Sequence, residues 1–498
     1  MADTQQQDQF QNRYGNKDEN QPAQQDFGSF RGTGVPWTRL PCVPPGDSRR
    51  DPPWILRYPR ATLQCIFSLT DRGSGHPSGR PAFTFPSPET RASATMQQTY
   101  FRKGFGLKAA VRPIIESEYH SAIVERIRSR AYTDRFGDIT VRLARHFGFC
   151  YGVDRAVDYA YETRHKFPDK RIYLVGEIIH NPHVNTRLDE MGIESILPGE
   201  DGEFDFANIT ADDVVIIPAF GVTLSDLKRL QGIGCILVDT TCGSVLLVWK
   251  RVNSYAKDGF TAVIHGKYTH EESRATASQV QRHERGRYII VRDMAEAEVV
   301  GAYMTGRPDA PNREAFVSHF ARRSSDGFDP DRDLARIGVA NQTTMLATES
   351  LAIGARLRKM MAEAFGEEHA ETHFRSFGTI CSATQERQDA ILEMMEAPPD
   401  IMIVVGGYNS SNTNHLAHLC REYTTTFHVK DASCIDTATG VIHHKPELDP
   451  HAPEVCEGDW LPAGPFELGI TAGASTPNNK IGEAVSRVLQ IRGIELEL

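Results

Sequence analysis

No stretch of this chain approaches the ~18 consecutive apolar residues that a membrane-spanning helix needs. Its nine cysteines include no CxxC pair, so a zinc ribbon has no support. They stand at 42, 65, 150, 235, 242, 381, 420, 434 and 456, an odd number at irregular spacing. That is not a disulfide framework, and it points to a reducing compartment. Basic charge is also short, with 55 Lys and Arg against 65 Asp and Glu, a net of −10. This balance argues against a general nucleic-acid or membrane-surface partner. What is present suits a globular protein: 498 residues, 40% hydrophobic and 24% charged, a length for two to four domains.

Residues 1–95 show no persistent helix or strand period. The opening "MADTQQQDQFQNRYGNKDENQPAQQ" is Gln/Asn-rich, and 12 of the 28 prolines fall between Pro22 and Pro88. Such a segment is expected to be a disordered or targeting extension. Arg and Ser are frequent from Arg49 onward, but Asp3, Asp8, Asp18 and Glu19 are acids that transit peptides avoid. A dispensable tail, or an upstream extension with a functional start at Met96, is the plainer expectation. Residues 96–137 follow as an N-terminal helical extension.

From "DITVRLARHFGFC" onward the pattern becomes α/β. Val/Ile-rich runs such as "RIYLVGE", "DVVIIPAF", "FTAVIHG", "IMIVVGG" and "FELGITAG" alternate with amphipathic stretches, as parallel strands alternate with crossover helices. Three cysteines each separate a strand-like run from a helix-like run: Cys150 in "FGFCYGVDRAV", Cys242 in "VDTTCGSVLLV" and Cys381 in "FGTICSATQERQ". After each, a strand ends in a polar loop, at His180 in "IIHNPHVN", His270 in "IHGKYTHEES" and Ser410 in "GGYNSSNTNH", 30, 28 and 29 residues on. A third strand end follows each time, in "PAFGVT", "ANQTTM" and "TAGAST". One α/β unit used three times explains this, with units at 138–235, 236–372 and 373–498. The strand C-terminal ends would converge on one centre, where open α/β sheets place ligands.

Three cysteines from three repeats suit a metal centre on the pseudo-axis. Three thiolates need a fourth ligand, such as histidine, to close a zinc site; on a cubane iron–sulfur cluster they leave one iron open to substrate. Cys235, Cys420, Cys434 and Cys456 read as buried packing. His180, His270, Ser410, Ser411, Asn412 and Ser475 lie between strand ends and helix starts, where backbone N–H groups and the helix dipole favour anions. A single Ser or Asn there is an ordinary N-cap, but "NSSNTN" is too long for one cap and fits a phosphate or diphosphate. Asn414 and His415 read as ordinary helix-start residues. Glu271 or Glu272 beside His270 could deliver a proton if kept protonated in a desolvated pocket. Thr343 and Thr344 could position a hydroxyl or water.

Eight ordered motifs, "GFCYGVDRA", "EIIHNPHVN", "DTTCGSV", "HGKYTHEES", "ANQTTM", "TICSATQERQDA", "VVGGYNSSNTNHL" and "TAGASTP", run from Gly148 to Pro477. With them the chain resembles the LytB or IspH family of 4-hydroxy-3-methylbut-2-enyl diphosphate reductases, in its long plant and cyanobacterial branch. The resemblance implies a trefoil of three α/β units around one 4Fe–4S cluster with an open iron. It matches Cys150, Cys242 and Cys381 to the cluster ligands. It matches His180, His270, Ser410, Ser411, Asn412 and Ser475 to the diphosphate pocket, Glu272 to a proton-relay glutamate and Thr343 to a threonine near the substrate hydroxyl. It implies reductive dehydroxylation of an allylic diphosphate to isopentenyl and dimethylallyl diphosphates, with reduced ferredoxin or flavodoxin as donor. The expected compartment is a bacterial cytoplasm, or a plastid stroma if residues 1–95 are a transit peptide. Phe220 in "PAFG" stands where many bacterial members have His, and His183 or Lys267 is the expected replacement for that contact. The rival enzyme class is an open-iron lyase, a hydratase or quinolinate-synthase-like enzyme, and a third reading is a non-catalytic zinc or cluster protein. Small dicarboxylates usually recruit arginine, which the Ser-Ser-Asn loop does not provide, and a non-catalytic protein does not need His270 and Glu272.

Overall fold

The strands Ile172–Val175, Val214–Ile217 and Ile401–Val405 are buried along their whole length. Unbroken Val/Ile runs are stable in that setting only when helices cover both faces of the sheet. The structure, a computed structural model, describes residues 99–446 and 452–496; the extension expected over 1–95 lies outside them. Alternate side chains of one strand serve two cores. Ile401, Ile403 and Val405 pack with Leu468 and Ile470, while Met402 and Val404 pack on the other side with Ile391 and Leu416. Each such buried aliphatic side chain is worth roughly 1.5–3 kcal/mol.

Among the described residues the protein is α/β with three main sheets that repeat one four-strand order. In the first, Ile236–Asp239, Val214–Ile217, Ile172–Val175 and Ile193–Ile196 lie side by side, all parallel. In the second the order is Phe374–Ser376, Ile337–Asn341, Thr261–His265 and Tyr288–Val291. In the third it is Ile139–Leu143, Phe466–Ala472, Ile401–Val405 and Thr425–Val429. The first strand of each set is the one that precedes Cys242, Cys381 or Cys150. The helix that follows, Gly243–Lys257, Ser382–Met395 or Tyr151–Lys166, leads to the second-from-edge strand of a different sheet. The chain therefore passes from sheet to sheet at each cysteine.

This hand-off moves the expected boundaries. Ile139–Leu143, Ile236–Asp239 and Phe374–Ser376 each pair in the sheet of a different unit from the one that boundaries at 138, 236 and 373 assign. Alternation along a sequence marks strands but not their pairing partners. The 96–137 segment carries the helices Lys108–Tyr119 and Ala122–Ser129, but it also adds edge strands: Tyr100–Phe101 to the first sheet and Thr133–Phe136, antiparallel, to the third. A short antiparallel ribbon joins Ile442–His444 and Val455–Glu457. No helix among the described residues is long and apolar enough to cross a membrane.

Candidate metal centre and anion pocket

Cys150, Cys242 and Cys381 each occupy the N-cap of a helix. There the unpaired N–H groups of the first turn and the positive helix end favour a thiolate. All three are free, and each is partly buried. They converge: a Cβ on Gly152 would lie 2.5 Å from the Cys242 sulfur and 3.9 Å from that of Cys150, and Cys381 feels the charge of both other thiols. Burial pushes the Cys381 thiol up to about 11, against hydrogen bonds from the backbone N–H and hydroxyl of Thr384. Burial also raises Cys150. Arg387, itself buried, ties two of the ligand loops together by donating to the carbonyls of Gly148 (2.5 Å) and Ala383 (2.7 Å). Its Nε is buried without a partner among the described residues, and its charge couples to Cys150 and Cys381. Three convergent thiols beside a buried cation are a donor set for a soft metal or an iron–sulfur group, not for a hard oxygen-seeking ion.

The polar loops meet in one pocket. Each follows a strand and a glycine, Gly176, Gly266 or Gly406, and leads to a helix capped by Asn181, His270 or Ser410. Gly406 adopts φ +150, a conformation that a side chain would strain. His180 and His270 approach to 3.2 Å between their Nε2 atoms, and Glu271 lies 3.6 Å from His180 Nε2. Although His180, His270 and Glu271 offer ligand atoms within 4.8 Å of one another, a metal ion does not suit them. His270 Nδ1 accepts the backbone N–H of Glu272, so in the neutral ring the proton sits on Nε2, which is then a donor and not a ligand. Burial holds His270 well below its ordinary pKa, which keeps it neutral.

Ser410, Ser411 and Asn412 are all buried at the start of the helix Ser411–Arg421. Ser410 Oγ accepts the Thr413 N–H as a cap, Ser411 Oγ accepts from Gln342, and Asn412 Oδ1 accepts the Ala474 N–H. Among the described residues Asn412 Nδ2 has no partner, although it is a buried donor, as a group that takes an anion would be. Ser475 donates to the His180 carbonyl at 3.1 Å, which brings the first and third loops into contact.

Glu272 is 1% exposed and Glu271 is not buried, which separates the two acids. Desolvation pushes the Glu272 carboxyl up to about 7, although the Thr343 backbone N–H (2.6 Å) and hydroxyl (3.0 Å) both donate to it. Thr344 instead accepts from Gln342 through its hydroxyl and from His415 through its carbonyl.

One expectation is corrected at the remaining cysteines. Cys235, Cys420 and Cys434 are buried, but Cys456 is exposed on the ribbon, 3.2 Å from His443 Nδ1. Asn414 and His415 are buried, and burial pushes His415 down to about 4. His183 is engaged by Asp431 at 3.1 Å, whereas Lys267 couples to His270 and His415. Phe220 stacks on His180 with centroids 4.3 Å apart, so it supports that ring. Nothing in the sequence singles out Glu177, Gln342 or Arg387 beyond their closeness to the cysteine and loop motifs; Asn409 stands at the head of "NSSNTN" but reads there only as part of the anion loop.

The chain belongs to the LytB protein family, whose model matches residues 141–489. It is 44% identical over 402 residues to 4-hydroxy-3-methylbut-2-enyl diphosphate reductase of Gloeobacter violaceus, covering 80% of this chain and 94% of that one. The reductase of the same name from Synechococcus sp. is 45% identical over 396 residues, 79% and 96% of the two chains. A solved structure of the E-1-hydroxy-2-methyl-but-2-enyl-4-diphosphate reductase from Plasmodium falciparum matches with a TM-score of 0.51 over 70% of this chain and 87% of that one. At 20% identity that likeness concerns the fold.

Proposed function

We propose that this chain is a 4-hydroxy-3-methylbut-2-enyl diphosphate reductase, the last enzyme of the non-mevalonate isoprenoid pathway. Its substrate gains two electrons and two protons, loses its allylic hydroxyl as water, and leaves as isopentenyl or dimethylallyl diphosphate. The membership of the family and the names of its relatives support this reading. The observation that carries it is the buried Glu272 carboxyl, pushed up to about 7, held by Thr343 and two residues after the His270 that caps the same helix.

In this reading the three units form a trefoil, and Cys150, Cys242 and Cys381 hold a 4Fe–4S cluster with one open iron. When bound, that cluster supplies the electrons and a Lewis acid. Ser410, Ser411, Asn412, Ser475, His180 and His270 hold the diphosphate, and Lys267 adds a charge nearby. The Thr343 N–H keeps Glu272 Oε1 an acceptor, so the acid proton rests on Oε2, opposite the Thr343 hydroxyl. From there Glu272 protonates the leaving hydroxyl. Reduced ferredoxin or flavodoxin is the donor of choice for a low-potential cluster. The test is anaerobic turnover of 4-hydroxy-3-methylbut-2-enyl diphosphate with a reduced low-potential donor. Both isopentenyl and dimethylallyl diphosphate are expected; absence of both sinks the assignment.

A further inference from the structure

We propose that Glu177 is a positioning residue that makes diphosphate binding proton-linked, by holding His180 in a tautomer that must gain one proton when the anion arrives. The proposal rests on the diphosphate reading of this pocket and deepens it.

Its root is a chain of hydrogen bonds whose direction is set at one end. The Glu272 backbone N–H can only donate, and it donates to His270 Nδ1 at 3.1 Å. The proton of the neutral His270 ring is therefore on Nε2, which faces His180 Nε2 at 3.2 Å. His180 Nε2 must accept, so the proton of His180 is on Nδ1, and Glu177 Oε2 accepts it at 2.8 Å. Asn409 Nδ2 donates to the same carboxylate oxygen at 3.0 Å, which anchors it to the third unit's loop. Phe220, stacked at 20° to the His180 ring, holds the ring plane.

A phosphate oxygen reaching the two Nε2 atoms meets unequal partners. His270 offers an N–H. His180 offers a bare lone pair, which repels an anion until it is protonated. Uptake of one proton turns His180 into an imidazolium that donates to the phosphate on one side and to Glu177 on the other. The charged groups around His180 are unequal too. Glu177 from its own loop and Glu271 from the neighbouring helix start favour the imidazolium, with Glu271 farther off at 3.6 Å. Glu272 also feels His180. Lys267, coupled to His270, and Arg274, on the cavity that Glu177, Phe220 and Glu271 line, oppose it. Among the described residues, Glu177 is the one acid in hydrogen-bond contact with the ring.

The experiment is calorimetry on the cluster-loaded full chain with isopentenyl diphosphate, in two buffers of different ionisation enthalpy at pH 8. At that pH the ester is fully ionised, since phosphate monoesters lose their last proton near pH ~6. Wild-type protein is expected to take up close to one proton per ligand bound. Glu177→Gln, which keeps the shape and a hydrogen-bond acceptor, is expected to take up almost none and to bind more weakly, by roughly tenfold or more, as the loss of one charge-assisted hydrogen bond implies. His180→Asn should also bind without uptake, which separates the proton from a general packing defect. Binding by wild type without uptake, or equal uptake by Glu177→Gln, overturns the proposal alone. Failure of wild type to bind the ester overturns the diphosphate reading as well.

Discussion

Thr343 grips both oxygens of Glu272: its backbone N–H donates to Oε1 at 2.6 Å and its hydroxyl to Oε2 at 3.0 Å, inside a pocket that leaves the carboxyl almost no solvent. Burial raises this acid and Thr343 lowers it, and burial wins, leaving it near 7. An acid that must be protonated to act loses activity as pH rises through its pKa. Anaerobic kcat should therefore fall through about pH 7. Thr343→Val removes one donor to the carboxylate, and should move that limb to higher pH while lowering its plateau. A limb unmoved by Thr343→Val would separate the two residues.

Glu272→Gln should bind substrate but turn over roughly 10²–10⁴ times more slowly, the usual cost of a lost general acid. It has a second signature. The folded-state pKa of about 7 lies above the ordinary 4.5, so this group's contribution to stability is present below 4.5 and lost as pH rises through about 7. Glu272→Gln should melt with wild type at pH 4.5 and above it at pH 8. A melting difference that does not change with pH would mean that Glu272 is not held protonated by the fold.

Cys150→Ser, Cys242→Ser and Cys381→Ser should each lose most bound iron and visible absorbance. Cys434→Ala, which removes a buried thiol outside the convergent set, should keep both. Iron content per chain after anaerobic reconstitution checks this, and full iron in any of the three serine variants removes that cysteine from the ligand set.

Gly152→Ala sets two effects against each other. Alanine favours a helix over glycine by about 1 kcal/mol. Its Cβ, however, would press to 2.5 Å from the Cys242 sulfur. The expected outcome is unchanged helix content by circular dichroism with impaired cluster loading. Normal loading would show that the thiols rearrange freely.

Phe220→Ala should raise the KM for substrate roughly 2- to 10-fold with a smaller change in kcat, because a stacked pair contributes about 0.5–1.5 kcal/mol and Phe220 supports the His180 ring. An unchanged KM would mean that His180 needs no such support.

What could be read from the sequence was what is local. A strand, a glycine, a polar loop and a helix start are neighbours along the chain, so the loops at His180, His270 and Ser410 and the cysteines before them stood out. Pairing is not local, which is why Ile139–Leu143, Ile236–Asp239 and Phe374–Ser376 were grouped with the wrong sheets. The same holds for the supporting residues. Glu177 meets Asn409 across 232 positions and Arg387 meets Gly148 across 239, and no spacing rule connects them. The exposure of Cys456 likewise depends on where the ribbon lies.

The central claim is that three cysteines present a cluster with an open iron to a substrate whose diphosphate the loops hold. Mössbauer spectroscopy of ⁵⁷Fe-reconstituted protein, with and without 4-hydroxy-3-methylbut-2-enyl diphosphate, tests it most directly. The account predicts a cubane spectrum in which a single iron site differs from the rest and moves when substrate is added. A cluster whose irons are all alike and ignore substrate, or a centre without iron, would contradict it.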